Sequence, residues 1–479
     1  MSNTAASPEH SIDQHPRTDR TGVVLAALLA CQLMIILDVT VMNVALPRIR
    51  SDLHFSATGL SWVMDAYTLV FGGLLLLGGR AGDLFGRRRI FMAGIAVFTL
   101  ASLLGGLAPM AGWLIAARVA QGIGAAMAGP NALALLTALF TDPQARMRAL
   151  ALYSGMAGAG FAIGLLVGGL LTQWLTWRSV LFINVPLGTG ALVALRWLPR
   201  IPRQPGRLDI PGAITATAGV AAVVYGFIRA AAQGWDDGIT LTALIGGAVV
   251  VIAFLFVERR ADQPLLPLAL FADRNRAAAY MNVFVGYMGS MSMFFFLTLY
   301  MQDVRGMGPL ATGLAFLPTA VLMFALIRVI PRALQRFGPR AVTMAGSLFL
   351  VAGLALPTQL STDTPYFPTI FAVAALMGCG TGLALMPLSV IIMANVPPQL
   401  AGMAGGTLQT LQQTGSAVGL AALVTVFGAA GRNASGSPER MLVHGITAAF
   451  AVAAVMGALT LLGTLAFRRP ENTAETGVN

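Results

Sequence analysis

Gly79-Arg80-Ala81-Gly82-Asp83-Leu84-Phe85-Gly86-Arg87-Arg88-Arg89 is a charged loop set between two runs far too apolar for a soluble protein, so it belongs where membrane meets water. A near copy returns 252 positions later, in Pro331–Gly346. Without gaps, Arg80 aligns with Arg332, Ala81 with Ala333, Phe85 with Phe337, Gly86 with Gly338 and Arg88 with Arg340. Met92-Ala93-Gly94 aligns with Met344-Ala345-Gly346, so eight of sixteen positions agree at one offset. That points to two halves descended from one unit.

The chain around this loop is 57% hydrophobic and only 10% charged, against roughly 25% charged in an ordinary soluble domain. Its apolar residues come in blocks of about 18–25, the length that crosses a hydrocarbon core of about 30 Å. The blocks lie near 22–46, 57–78, 90–108, 112–139, 148–172, 179–198, 211–231 and 239–257, then 277–301, 309–331, 341–358, 367–393, 403–428 and 443–467. An all-α polytopic membrane protein with fourteen spans is expected. The repeated loop follows the second block and the tenth, which leaves six spans per half and two over. The domain plan is therefore a tail at 1–21, a six-helix bundle at 22–198, linkers with two extra helices at 199–276, a second six-helix bundle at 277–467, and a tail at 468–479. The linkers are Pro199–Leu208 and Glu258–Arg276, and the polar first 20 residues lack the order of a cleaved signal. Gly122-x-Gly124 and Gly380-x-Gly382 echo the repeat.

All 30 basic residues are Arg, and the net charge is +11. They are spread over loops rather than gathered on one face, which argues for topology and against nucleic acid. With both termini in the cytoplasm, about 22 arginines fall in inner loops and tails and about 7 in outer loops, as the positive-inside rule requires. Cys31 and Cys379 both lie inside apolar blocks, and His10, His15, His54 and His444 are scattered, so neither a disulfide framework nor a metal site is expected. The loops hold no nucleophile–base set and no phosphate loop, so an enzyme or an ATP-driven pump is disfavoured, and no cofactor is expected.

Three ionisable residues lie deep in spans: Asp38, Asp65 and Arg118. Charges at that depth need a partner, a water cavity or a proton, and they mark function. At 1.5 Å per residue they sit roughly 10–14 Å from one boundary. Two carboxylates and a guanidinium at one level make a proton and cation site, or in the plainer reading a static pair that pins helices. In the charged loop, Gly79, Asp83, Gly86, Arg87 and Arg88 form a candidate conformational gate with Arg336 and Arg340 of the copy; the alternative is a solvated turn that only sets topology. Gly160, Gly164 and Gly168 repeat every four residues and suit close helix packing. Aromatic and Met residues in the ninth span, Tyr287 among them, and the amides Gln409 and Gln412 suit bulky apolar or cationic ligands.

These residues resemble the major facilitator superfamily, and within it the fourteen-span drug:proton antiporter family. Leu37-Asp38-Val39-Thr40-Val41-Met42-Asn43-Val44-Ala45-Leu46-Pro47 is similar to that family's first-span signature, and Trp62-Val63-Met64-Asp65-Ala66-Tyr67-Thr68-Leu69 to its second span. Arg118-Val119-Ala120-Gln121-Gly122-Ile123-Gly124 resembles its fourth-span motif, and Trp177-Arg178 with Phe182-Ile183-Asn184-Val185-Pro186 its fifth-to-sixth junction. The resemblance implies proton coupling by Asp38 and Arg118, and substrate recognition or coupling by Asp65, with Asn43 and Tyr67 in the same motifs. It implies a proton-driven, monomeric exporter of hydrophobic or cationic compounds in a bacterial inner membrane, working by alternating access. A narrow exporter of one endogenous compound and a non-transporting sensor are the alternatives. The fifth-span antiporter motif departs at one place: Gly160, Gly164, Gly168 and Gly169 keep its frame, but Leu165 stands where the motif has proline, restoring a backbone donor.

Overall fold

A computed structural model describes residues 18–467 apart from 57, 141, 198–208, 262–263, 267, 395, 397–400 and 466. The expected linker Pro199–Leu208, the tail at 468–479 and all but the end of the tail at 1–21 lie outside the described residues. Among the described residues the chain is helical and has no strand. The first half comprises α1 (Thr18–Leu53), α2 (Trp62–Phe85), α3 (Arg87–Gly106), α4 (Ala111–Leu139), α5 (Pro143–Trp174), α6 (Ser179–Phe182) and α7 (Asn184–Ala194). A hairpin follows, α8 (Ile210–Gln233) and α9 (Gly238–Arg260). The second half comprises α10 (Arg274–Leu299), α11 (Pro309–Ala315), α12 (Leu317–Ala355), α13 (Phe371–Met393), α14 (Ala401–Asn433) and α15 (Pro438–Leu465).

Twelve helical segments among the described residues are long and apolar enough to cross a membrane, and two shorter apolar ones, Gly160–Trp174 and Ser179–Ala194, stand where the fifth and sixth spans are expected. Among the described residues, aspartates start four helices. Asp142 accepts the N–H of Ala145 (2.7 Å), Asp209 that of Gly212 (2.8 Å), Asp237 that of Thr240 (2.8 Å) and Asp273 that of Arg276 (2.7 Å). Each satisfies a donor that a helix leaves free in its first turn. Arg229 also pairs with Asp237 at 2.6 Å, and together with the Thr240 N–H it holds that carboxyl well below the usual range.

The repeat is visible in backbone geometry. Gly86 (φ 102°) separates α2 from α3, and Gly338 (φ 76°) breaks α12 into two arms. These are the glycines aligned by the repeat, both at positive φ with an extended ψ, a region that costs an L-residue about 1–3 kcal/mol. The packing repeats as well: Gly94 abuts Gly124 of α4, and its counterpart Gly346 abuts Ala384 of α13. A Cβ on Gly338 would meet nothing within 4 Å, so its role is conformational alone. Gly338→Ala is expected to cost about 1–3 kcal/mol, read as easier thermal unfolding of the purified protein.

In the first half α1 packs on α5 and α7, and α4 on α2 and α3; in the second, α12 packs on α13 and α15, and α10 on α14 and α15. The halves meet where α2 touches α14, α5 touches α11 and α12, and α1 touches α10. α8 leans on both α2 and α14, while α9 packs on α8 and turns a largely exposed apolar face outward.

Candidate functional site

Asp38 and Arg118 meet in the first bundle with no exposed surface on either side chain. Asp38 Oδ2 accepts from Arg118 Nη1 at 2.5 Å, and its Oδ1 accepts from Gln121 Nε2 and from Asn184 Nδ2, both at 2.9 Å. Arg118 also donates through Nε to the Val63 carbonyl (2.8 Å) and through Nη1 to Gln121 Oε1 (3.0 Å), and it lies over the Tyr67 ring at 4.4 Å. Gln121 Nε2 donates further to Ser102 Oγ at 2.8 Å. Five helices thus meet in one network around the pair: α1 brings Asp38, α2 Tyr67, α3 Ser102, α4 Arg118 with Gln121, and α7 Asn184. Such partners offset the desolvation of a buried ion pair, here for every donor and acceptor but Arg118 Nη2 and Asn184 Oδ1.

Three of these partners were not singled out by sequence reasoning. Gln121, Asn184 and Ser102 are uncharged, and a lone polar residue in an apolar block carries little signal. Gln121 and Asn184 lie inside the fourth-span and fifth-to-sixth motifs without a role assigned there, and Gln121 has a further clue, since it lies three residues after Arg118 and so shares its helix face.

Asp65 stays apart from this network. It is fully buried in the first turn of α2, and neither carboxylate oxygen has a hydrogen-bond partner. The Tyr67 hydroxyl and Arg118 Nη2 are likewise buried and unpartnered. Asn43 takes a different place, at the junction of the halves, where its Oδ1 accepts from Thr298 Oγ1 of α10 at 2.7 Å. Tyr287 is half-buried in α10, and Gln409 and Gln412 are half-buried on α14, where Ser416 Oγ donates to the Gln412 carbonyl at 2.9 Å.

The charged loops are engaged within their own halves. Asp83 pairs with Arg87 at 2.9 Å, Arg88 donates to the Arg196 carbonyl at 2.8 Å, and Gly79 packs against Pro130. Arg336 lies over Phe337 at 5.3 Å, and Arg340 donates to the Leu465 carbonyl at 3.4 Å. At the opposite end of the bundle, among the described residues, four polar contacts tie half to half. They are Asn43–Thr298, Arg50–Asp303 at 2.8 Å, Gln302 Nε2 to the Val44 carbonyl at 2.9 Å, and the Leu310 N–H to Gln173 Oε1 at 3.1 Å.

Glycines of α5 serve two of the contacts of that helix. Gly160, Gly164 and Gly168 face α1, and a Cβ on Gly164 would lie 1.7 Å from Thr40 Oγ1. Gly169 instead faces α11, where its Cβ would lie 2.7 Å from Leu310 Cα, and a Cβ on Gly313 would lie 2.3 Å from the Leu165 carbonyl oxygen. The two halves therefore approach backbone to backbone at Leu165, the position that departs from the fifth-span motif.

Comparison with known proteins agrees with this architecture. Residues 28–420 match the Major Facilitator Superfamily. The puromycin resistance protein of Streptomyces alboniger is 42% identical, with 95% of this chain and 93% of that protein covered. The cephamycin export protein of Amycolatopsis lactamdurans is 39% identical, with 93% of each covered. Among solved structures, the POT family transporter PepTSo superposes with a TM-score of 0.68 at 14% identity, over 94% of this chain and 99% of that one, a likeness of fold.

Proposed function

This chain belongs to the Major Facilitator Superfamily, and from that premise we propose that it exports antibiotics or other hydrophobic or cationic compounds in exchange for protons. It is a multi-pass membrane protein and a transporter rather than an enzyme. The observation that carries the coupling is the Asp38–Arg118 pair, buried to the last atom and laced to five helices. Protonating Asp38 removes the charge that Arg118 answers, which loosens contacts among those helices and so favours another arrangement of the bundle. A ligand shifts such an equilibrium only by its differential affinity for the two arrangements. Substrate and proton, each preferring a different arrangement, would then exchange across the membrane.

The ties between halves at one end, with both charged loops occupied inside their own halves, suit a state closed at that end. The positive-inside rule assigns the arginine-rich end to the cytoplasm, in a bacterial inner membrane with both termini inside. In this reading the segments at 160–174 and 179–194 complete a fourteen-span plan, and the chain works as a monomer. Names of relatives favour a second reading of breadth: the puromycin, cephamycin and tetracenomycin C proteins are each named for one antibiotic, which supports a dedicated exporter over a multidrug pump.

Efflux from preloaded cells expressing the full chain tests the proposal, with puromycin and a fluorescent lipophilic cation as probes. Export abolished by a protonophore is expected. Export that persists undiminished after the proton gradient collapses would overturn proton drive.

A further inference from the structure

α8 touches α2 of the first half and α14 of the second. Under alternating access those halves move against each other, so a stiff helix lodged between them keeps one contact and slides on the other. The hairpin is stiff. α8 and α9 meet backbone to backbone, where a Cβ on Gly247 would lie 2.8 Å from the Val223 nitrogen and one on Gly219 would lie 2.9 Å from the Val251 nitrogen. Arg229 and Asp237 close its turn at 2.6 Å.

The two contacts of α8 differ in kind. Towards α14 it is hydrogen-bonded through its own backbone. Thr425 Oγ1 donates to the Phe227 carbonyl at 2.5 Å, sharing its proton with the Ala421 carbonyl, and Arg432 Nη1 donates to the Ala231 carbonyl. Ala231 lies in the last turn of α8, where carbonyls lack a partner along the helix and the helix dipole favours a guanidinium. Between those two bonds Gly428 lets the backbones close up, its Cβ position 2.8 Å from the Ala231 carbonyl oxygen. Thr425, Gly428 and Arg432 share one face of α14, as Phe227 and Ala231 share one face of α8. The chain leaving the hairpin folds onto that half as well: the Leu266 N–H donates to Glu258 Oε2 at 2.9 Å, and Phe271 packs on the Tyr280 ring of α10 at 5.0 Å.

Towards α2, α8 presents rings and methyl groups. The Tyr225 ring lies 6.4 Å from that of Trp62, tilted by 46°, and Val224 and Ile228 share an apolar cluster with Leu69. Where Thr217 meets Gly73, its hydroxyl is buried without a hydrogen-bond partner, so sliding there breaks no hydrogen bond. Dispersion contacts are weak singly, and one set exchanges for another as helices shift. A carbonyl pulled from its donor inside a membrane finds no water to replace it.

We propose that the hairpin travels with the second half and that α2 slides along α8 as the halves part, an inference that rests on the alternating access proposed above. Spin labels on cysteines at Leu100 of α3, Ile245 of α9 and Val455 of α15, each more than half exposed, test it in the full-length protein with Cys31 and Cys379 replaced. Pulsed electron resonance reads the distances in acid and in alkaline buffer, with and without puromycin. The Leu100–Val455 distance reports the halves and is expected to change between conditions. Ile245 should then keep its distance to Val455 and change its distance to Leu100. Ile245 holding its distance to Leu100, or shifting against both, would overturn the inference and leave alternating access standing. A Leu100–Val455 distance constant in every condition would overturn alternating access, and the inference with it.

Disulfides give a second reading. Gly73→Cys with Thr217→Cys would set Cβ atoms 3.1 Å apart, and Ala231→Cys with Gly428→Cys 3.2 Å apart, both near the spacing a disulfide needs. Oxidation of the first pair is expected to stop puromycin efflux until it is reduced, and oxidation of the second to leave efflux unchanged. Efflux untouched by the first cross-link, or stopped by the second, overturns the proposal.

Discussion

Asp38→Asn is expected to abolish uphill transport while substrate exchange across the membrane continues. One proton exchanged per substrate sustains about a tenfold substrate gradient per pH unit, because a pH unit is worth about 1.4 kcal/mol. An asparagine cannot load or release that proton, so accumulation falls to equilibration whatever the gradient. The fold should survive. Removing one partner of a buried ion pair costs about 3–5 kcal/mol where the other is stranded, but Arg118 keeps the Val63 carbonyl, Gln121 Oε1 and the Tyr67 face. The Asn184 and Gln121 amides can still donate to the asparagine oxygen. Everted vesicles with an acid interior measure this directly: the unmodified protein should accumulate substrate, and the variant should only equilibrate it. Accumulation by Asp38→Asn at the unmodified level would remove Asp38 from the coupling step.

Gly313→Val should trap the protein away from the state described above. The Leu165 carbonyl occupies the space the new Cβ needs, and neither partner is a flexible side chain that can swing aside. Overpacking of this kind costs about 1–3 kcal/mol, and here the cost falls on an interface between halves rather than within either. The bundles can therefore fold while the closed end gives way, a population shift of about 5- to 150-fold. A cysteine at Thr298, with Cys31 and Cys379 replaced, should react with an impermeant maleimide faster in Gly313→Val by that factor. Gly164→Val makes the contrast, since its clash with Thr40 lies inside the first half. It should lower the yield of folded protein instead. Equal labelling rates with and without Gly313→Val would mean that α5 and α11 do not separate during the cycle.

The fold was largely legible because its two strongest signals are long and redundant. Apolar blocks of membrane-crossing length gave the helices, and the repeated loop gave the halves, whose aligned Gly86 and Gly338 share a positive φ. The Asp38–Arg118 pair was legible because charges in apolar spans are rare enough to stand out. Its uncharged partners were not, since Gln121, Asn184 and Ser102 gain meaning only when α3, α4 and α7 converge. Asn43 shows the converse: its motif suggests the site, yet it accepts from Thr298, 255 residues away. Relations between halves leave no periodic trace in sequence, and so the ties at Arg50, Gln173 and Gln302 emerge only from the fold. The acids of the arginine-rich loops were legible as charges but not as the helix caps that Asp142, Asp209 and Asp273 are.

The complete burial of the Asp38–Arg118 pair bears on leakage as well as on coupling. A titratable group open to both sides would short-circuit the proton gradient in every idle copy of the protein. With no atom of either side chain exposed in this arrangement, neither face of the bundle reaches the pair. Under the proposed coupling, current would flow only when the helices part, and a cell could hold many silent copies in its membrane at no cost to its energy supply.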